Sequence, residues 1–212
     1  MKTLFLITAL CFSPLVYAGS LTVSVHDQYG EPVYDAIVYI QTINGKIPES
    51  VPESSVVIDQ RDEMYVPHVR ATTIGSLVDF PNSDDVQHHV YSFSAAKTFE
   101  LPLYLDVPAE PVLFDNPGLV VLGCNIHDHM RGYILVLDTP YFVEIEEGQG
   151  AIQNVPAGNL ELRLWHPRLE IEIELTQQIP LGENESLSLA FDVQLLPERM
   201  VRRAPKRGKK RY

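Results

Sequence analysis

Cys124-Asn-Ile-His127-Asp-His129-Met130 is the stretch on which the reading of this chain turns. A thiolate, imidazoles and a thioether stand within seven residues, directly after the apolar run Gly118 to Leu122. A thioether is a useful ligand almost only for copper or haem iron. The chain has no Cys-x-x-Cys-His sequence, so covalent haem attachment is excluded. A second imidazole from elsewhere completes a plane of two His and one Cys with a weak axial Met, a donor set that belongs to mononuclear electron-transfer copper sites. His88 or His89, in Phe80-Pro-Asn-Ser-Asp-Asp-Val-Gln-His88-His89-Val90, can supply it. Taken singly, Cys124 reads as a small buried hydrophobe and Met130 as core packing. The combined spacing favours a metal. Strand alternation makes His89 and His129 outward or supporting side chains rather than ligands.

Working outward, Val56 to Ile58, Val69 to Thr73, Ser76 to Phe80, His89 to Phe93, Thr98 to Leu103, Gly118 to Leu122 and Tyr133 to Leu137 are short apolar runs separated by Pro, Gly, Asn and Asp. This pattern predicts a β-sandwich or barrel. A second group follows: Phe142 to Ile145, Ala151 to Asn154, Leu160 to Trp165, Glu170 to Leu175 and Leu187 to Val193. Its Glu and Leu/Ile alternation predicts a sheet with one solvated face. Before the first group, Leu21 to Val25 and Ala36 to Ile40 flank the turn Asp27-Gln-Tyr-Gly30 and read as a β-hairpin over residues 20 to 41. Pro48 to Ser55 reads as a linker or boundary, His68 as a surface residue at a strand start, and His166 as a packed turn.

The 212 residues are 45% hydrophobic and 21% charged, with 16 Pro and 12 Gly, which fits a globular β-rich chain. The net charge of −12 hides an asymmetry. Residues 198–212 carry eight of the sixteen Lys and Arg, whereas residues 19–197 carry seven basic against 27 acidic side chains. The acidic body excludes nucleic-acid binding by the folded part, because phosphate contacts need a positive face. The tail reads as a disordered basic end, with peripheral contact to anionic lipid headgroups as its sharper role. Acidic pairs such as Asp84-Asp85 and the run Glu144-Ile-Glu146-Glu147 read as solvated. With no nucleophile and base pair or phosphate loop, the chain carries no enzyme signature.

Lys2, the apolar run Leu4 to Val16 and Val16-Tyr17-Ala18 make residues 1–18 read as a signal peptide cleaved after Ala18. Cys11 is discarded with it, so Cys124 is the one cysteine of the mature chain and no internal disulfide forms.

These residues together resemble the cupredoxins, or type 1 blue copper proteins, of the plastocyanin and amicyanin kind. Cys124, His127 and Met130 have the short amicyanin-like spacing, and Arg131-Gly132 followed by an apolar strand continues the match. The resemblance covers residues 55–138 and implies a Greek-key β-sandwich. It implies one copper ion held by His88, Cys124 and His127, with Met130 axial. The chain departs from the family at His89, where Asn is common, and at Ile126, where Pro is usual. The flanking segments resemble a carboxypeptidase-regulatory-like sandwich, through Val25-His-Asp27-Gln-Tyr-Gly30-Glu-Pro32 and Val155-Pro-Ala-Gly158.

The expected organisation is all-β. A cupredoxin domain over 55–138 is inserted into a second small β-sandwich made of 19–47 and 142–197, and a basic tail follows over 198–212. Similar two-part exported chains are called methylamine-utilisation proteins, a name that implies periplasmic electron transfer; nothing in these residues shows methylamine chemistry. The function the resemblance implies is one-electron transfer between redox partner proteins. Its rival is a periplasmic copper carrier or sensor.

Overall fold

Leu21, Val23 and Val25 are fully buried in β1 (Ala18–Asp27), with Thr22 exposed between them, so period-two alternation sets one face of this strand against a core. The computed structural model describes residues 18–53, 55–106, 110–169 and 174–197, and none of these is helical. Accordingly, no described helix is long and apolar enough to cross a membrane. The expected signal peptide up to residue 17, with Cys11, and the basic tail over 198–212 lie outside the described residues.

The central part of the chain forms two facing sheets. One contains β3 (Val56–Val57), β7 (Ser76–Asp79) and β10 (Val112–Phe114), in the order β10-β7-β3. The other contains β6 (Val69–Thr73), β8 (His88–Phe93), β9 (Thr98–Tyr104), β11 (Gly118–Gly123) and β12 (Arg131–Leu137), in the order β6-β12-β11-β8-β9. A short hairpin, β4 (Asp59–Arg61) with β5 (Met64–Val66), closes one end. The chain crosses between sheets at β6 to β7, β7 to β8, β9 to β10 and β10 to β11, which gives the Greek-key sandwich the sequence led us to expect. Its core is built from Ile58, Tyr65, Phe80, Val90, Phe114 and Leu122, and it also buries Cys124 and Met130.

Seven further strands pack beside it. β14 (Gln149–Pro156) and β17 (Ser186–Val193) flank β1, in the order β14-β1-β17. β2 (Ala36–Ile43), β13 (Phe142–Ile145), β15 (Gly158–Trp165) and β16 (Leu175–Leu181) form a second sheet in the order β13-β2-β15-β16. Between these sheets lies a separate core around Leu21, Val25, Ile40, Leu162 and Phe191.

The structure corrects the hairpin expected over residues 20 to 41. β1 pairs with β14 and β17, and β2 pairs with β13 and β15, so the Asp27–Gly30 turn carries the chain from one sheet to the other. The reason is visible in β2, whose first five residues are all buried. Ala36, Val38 and Ile40 face the sandwich core, while Ile37 and Tyr39 face outward onto Val69, Ala71, Leu135 and Leu137 of the neighbouring five-stranded sheet. A strand buried on both faces belongs inside a stack of layers, not in a two-stranded hairpin. The strand expected over 170 to 175 falls mostly on residues 170–173, which lie outside the described residues; β16 begins at Leu175.

The acidic run at 144 to 147 is also not simply solvated. Ala71 N donates to Glu144 Oε1 at 2.7 Å and Arg70 Nη1 to its Oε2 at 3.2 Å, which ties β13 to the edge strand β6. Burial raises the Glu144 carboxyl above its ordinary range. The segment at 48 to 55 is tied as well. Glu53 N donates to Ser76 Oγ at 2.8 Å and Thr73 Oγ1 to Val51 O at 2.8 Å.

Candidate metal centre

β11 and β12 are antiparallel neighbours paired from Gly118↔Val136 to Gly123↔Arg131. The seven residues between them, Cys124 to Met130, therefore close a loop whose two ends are fixed by a sheet. Both end residues turn into the core: Cys124 is 3% exposed and Met130 2%. Met130 N donates to His127 O at 2.9 Å, which folds the loop back and leaves His127 near its apex. His88 opens β8, the strand beside β11. Its side chain points inward with Val90 and Ser92, and it is completely buried.

His88 Nδ1 lies 3.2 Å from His127 Nδ1, and Cys124 Sγ lies 3.9 Å from each of them. The point equidistant from these three atoms is about 2.1 Å from each, within the ~2.0–2.3 Å of metal–imidazole and metal–thiolate bonds. The three donors thus fit one metal ion held near their plane. The structure brings together His88, Cys124 and His127, and places Met130 in the same core at the end of the same loop.

Three features that the sequence reading missed hold this arrangement. The first is Asp84, which we had read as solvated. His88 Nε2 lies 2.6 Å from Asp84 Oδ2. The N–H groups of Asp62 and Glu63 donate to the same carboxylate at 2.6 and 3.0 Å. Partial burial works to raise the Asp84 carboxyl, but donation from Glu63 N, His88 and Asp62 N outweighs it and leaves the group below the usual carboxylate range. An ionised carboxylate can only accept, so His88 carries its proton on Nε2 and presents the Nδ1 lone pair to Cys124 and His127. The one signal in the sequence was a carboxylate four residues before His88.

The second feature is Tyr65, whose hydroxyl donates to Gly123 O at 2.9 Å, next to Cys124. Burial, and after it the Cys124 sulfur, pushes this phenol above its ordinary range. The third is a pair of glycines. A Cβ on Gly132 would stand 2.9–3.0 Å from Tyr65 Cβ, Cγ and Cδ2, and one on Gly123 would stand 2.7 Å from Tyr91 Cζ. Bare backbone at both positions lets the two rings lie against the sheet beside Cys124.

Four of the five remaining histidines have partners outside the donor trio. His89 faces the other side of β8, where its Nε2 lies 2.8 Å from Glu100 Oε1. His129 Nε2 lies 3.1 Å from Glu63 Oε2 at the rim of the loop. His68 pairs with Asp35 at 2.8 Å in an exposed position. His166 is buried and accepts a bond from Arg168 N; burial, with Arg168 adding to it, lowers its pKa to about 4.

No family model matches the chain, and no curated protein matches it. Among solved structures, a reduced amicyanin variant is 22% identical, with 43% of this chain and 96% of that chain covered and a TM-score of 0.34. A purple cupredoxin from Nitrosopumilus maritimus is 21% identical, with 40% and 99% covered and a TM-score of 0.33. A copper-containing nitrite reductase from Thermus scotoductus is also 21% identical, with 53% of this chain but 28% of that one covered and a TM-score of 0.36.

Proposed function

We propose that this protein is an exported mononuclear copper protein that carries single electrons between redox partners, with His88, Cys124, His127 and Met130 as the ligands. The observation that carries the proposal is the convergence of two imidazole Nδ1 atoms and one cysteine sulfur at 3.2, 3.9 and 3.9 Å, with a thioether at the end of the same loop. When bound, copper supplies one-electron chemistry, since thiolate and imidazoles suit Cu(II) while thiolate and thioether suit Cu(I). The protein's contribution is positional. Asp84 fixes the His88 tautomer, burial of His88 and Cys124 keeps water away, and two paired strands hold both ends of the ligand loop. A donor set fixed in this way changes little between oxidation states, which keeps reorganisation small. The His127 side chain, 20% exposed, brings a ring edge to the surface as the route for electrons.

In the same reading, residues 55–138 form the copper-binding domain, inserted into a sandwich of 19–47 and 142–197. The leader pattern over 1–18 supports export to the periplasm. The basic tail over 198–212 supports contact with anionic headgroups, so removing residues 199–212 should reduce binding to anionic vesicles at low salt. Equal binding of both forms would remove that part of the proposal.

The test of the site is a visible spectrum after adding Cu(II) to the mature chain. An intense blue or green band is expected, lost in Cys124→Ser and kept in His129→Ala. Colour that survives in the Ser variant rules the site out. Rapid reversible reduction with the ion retained supports the electron carrier; ready loss of the ion to a chelator identifies a copper carrier instead.

A further inference from the structure

We infer that the rim of the ligand loop carries a second, solvent-facing cation site, formed by Glu63 and His129 beside the outer edge of His127, that takes a borderline divalent ion such as Zn2+ or Cu2+ with water completing its shell. Glu63 Oε2 lies 3.1 Å from His129 Nε2, and Glu63 Oε1 lies 3.9 Å from His127 Nε2. Two donors on opposite sides of one ion are separated by up to about 4.3 Å, given bonds of ~2.0–2.2 Å, so one ion fits between Glu63 Oε2 and His129 Nε2. The His127 and His129 rings lie 5.9 Å apart, on the same side of the loop. Both side chains are partly open to solvent, at 20% and 24% exposure, so water can reach the ion's open positions.

The backbone beneath Glu63 supports this reading. Asp62 and Glu63 are the two-residue loop between β4 and β5, with φ of 52° and 59°. Both central residues of such a turn need positive φ, which is why Asn-Gly or Asp-Gly is the usual choice. A long side chain at the second position carries a conformational cost. Here the turn is braced by donation of both N–H groups to Asp84, and it aims the Glu63 carboxylate between two imidazoles.

The charge balance points the same way. Arg61, the cation of the hairpin, is bound to Asp59, and Asp84 lies against the backbone N–H groups of Asp62 and Glu63. Such a field concentrates cations at the surface. Donor chemistry separates the two sites. Thiolate and thioether in the buried set favour copper, in particular Cu(I), whereas imidazole and carboxylate at the rim favour Cu(II) and Zn(II) and give Cu(I) no soft ligand.

This inference does not require the buried trio to hold copper, and the experiment keeps the two apart. Zn2+ is titrated calorimetrically into the full mature chain and into Glu63→Gln, His129→Ala and Cys124→Ser, with thermal unfolding as the check on folding. Two equivalents are expected for the wild type. Glu63→Gln and His129→Ala, which sit on different loops, should each lose one equivalent while keeping the Cu(II) colour. Cys124→Ser should lose the colour but keep one equivalent sensitive to Glu63→Gln. A wild type that binds a single equivalent, or rim variants that titrate like it, would overturn the second site; a missing colour with the rim equivalent intact would overturn only the buried copper centre.

Discussion

Asp84→Ala removes the carboxylate that faces His88 Nε2 at 2.6 Å and accepts from Asp62 N and Glu63 N. The two N–H groups lie in an exposed turn and recover water as a partner. His88 is fully buried and does not, so its Nε2–H is left without an acceptor. An unsatisfied buried donor costs about 1–3 kcal/mol. At ~2–4 °C per kcal/mol for a chain of this size, the metal-free unfolding midpoint should fall by about 2–12 °C. The effect on metal binding is separate, because the imidazole also loses its fixed tautomer and orientation. Loss of such a partner typically costs about 10–100-fold in affinity, or about 1.4–2.7 kcal/mol. Asp85→Ala is the control: Asp85 is exposed, and its removal should stay within ~0.5 kcal/mol. The assays are thermal unfolding of the apo-protein and chelator competition for Cu(II) on both variants. The pH dependence has a defined sign. A folded-state carboxyl held below its unfolded value contributes stability above pH ~4 that is lost as pH falls through the folded value, so this acid limb should be absent in the Ala variant. If Asp84→Ala and Asp85→Ala match in both midpoint and affinity, Asp84 does not position His88 and the reasoning fails.

Gly132→Ala sets a methyl against the Tyr65 ring at 2.9–3.0 Å, and Tyr65 is 1% exposed with little room to move. Overpacking of this kind costs about 1–3 kcal/mol, read from denaturant unfolding, and a displaced Tyr65 should also shift the Cu(II) band. His166 is buried as the neutral ring with its pKa lowered to about 4. Its stabilisation is complete above pH ~6.5 and is lost as pH falls towards 4, by about 2–3 kcal/mol, a loss that His166→Asn should abolish when stability is measured at several pH values. Glu144→Ala strands Ala71 N and leaves Arg70 with Glu53 alone at the junction between β6 and β13. It should destabilise the protein by about 1–3 kcal/mol and increase amide exchange at Ala71, whereas unchanged exchange there would show that the Glu144 contact is not formed in solution.

The ligand loop was legible in the sequence because its information is local: Cys124, His127 and Met130 lie within seven residues, and a loop closed by two paired strands leaves few ways to arrange them. Most strands were legible for a similar reason, since period-two burial in runs such as Leu21 to Val25 is written into neighbouring residues. Pairing was not. β1 and β2 are adjacent in the chain but lie in different, facing sheets, because the continuous apolar run of β2 is satisfied only by layers on both of its faces, and the strands that supply and pair with those layers come from distant parts of the chain. The same holds around the metal centre. Alternation along β8 puts His88 and His89 on opposite faces, but the packing of that strand beside the ligand loop is what sets one against Cys124 and the other against Glu100. Asp84 and Asp85 are likewise equivalent as sequence. The fold makes one a partner of His88 and leaves the other in water, since the energy of a buried hydrogen bond depends on what tertiary packing removes from solvent, not on the residue that supplies it.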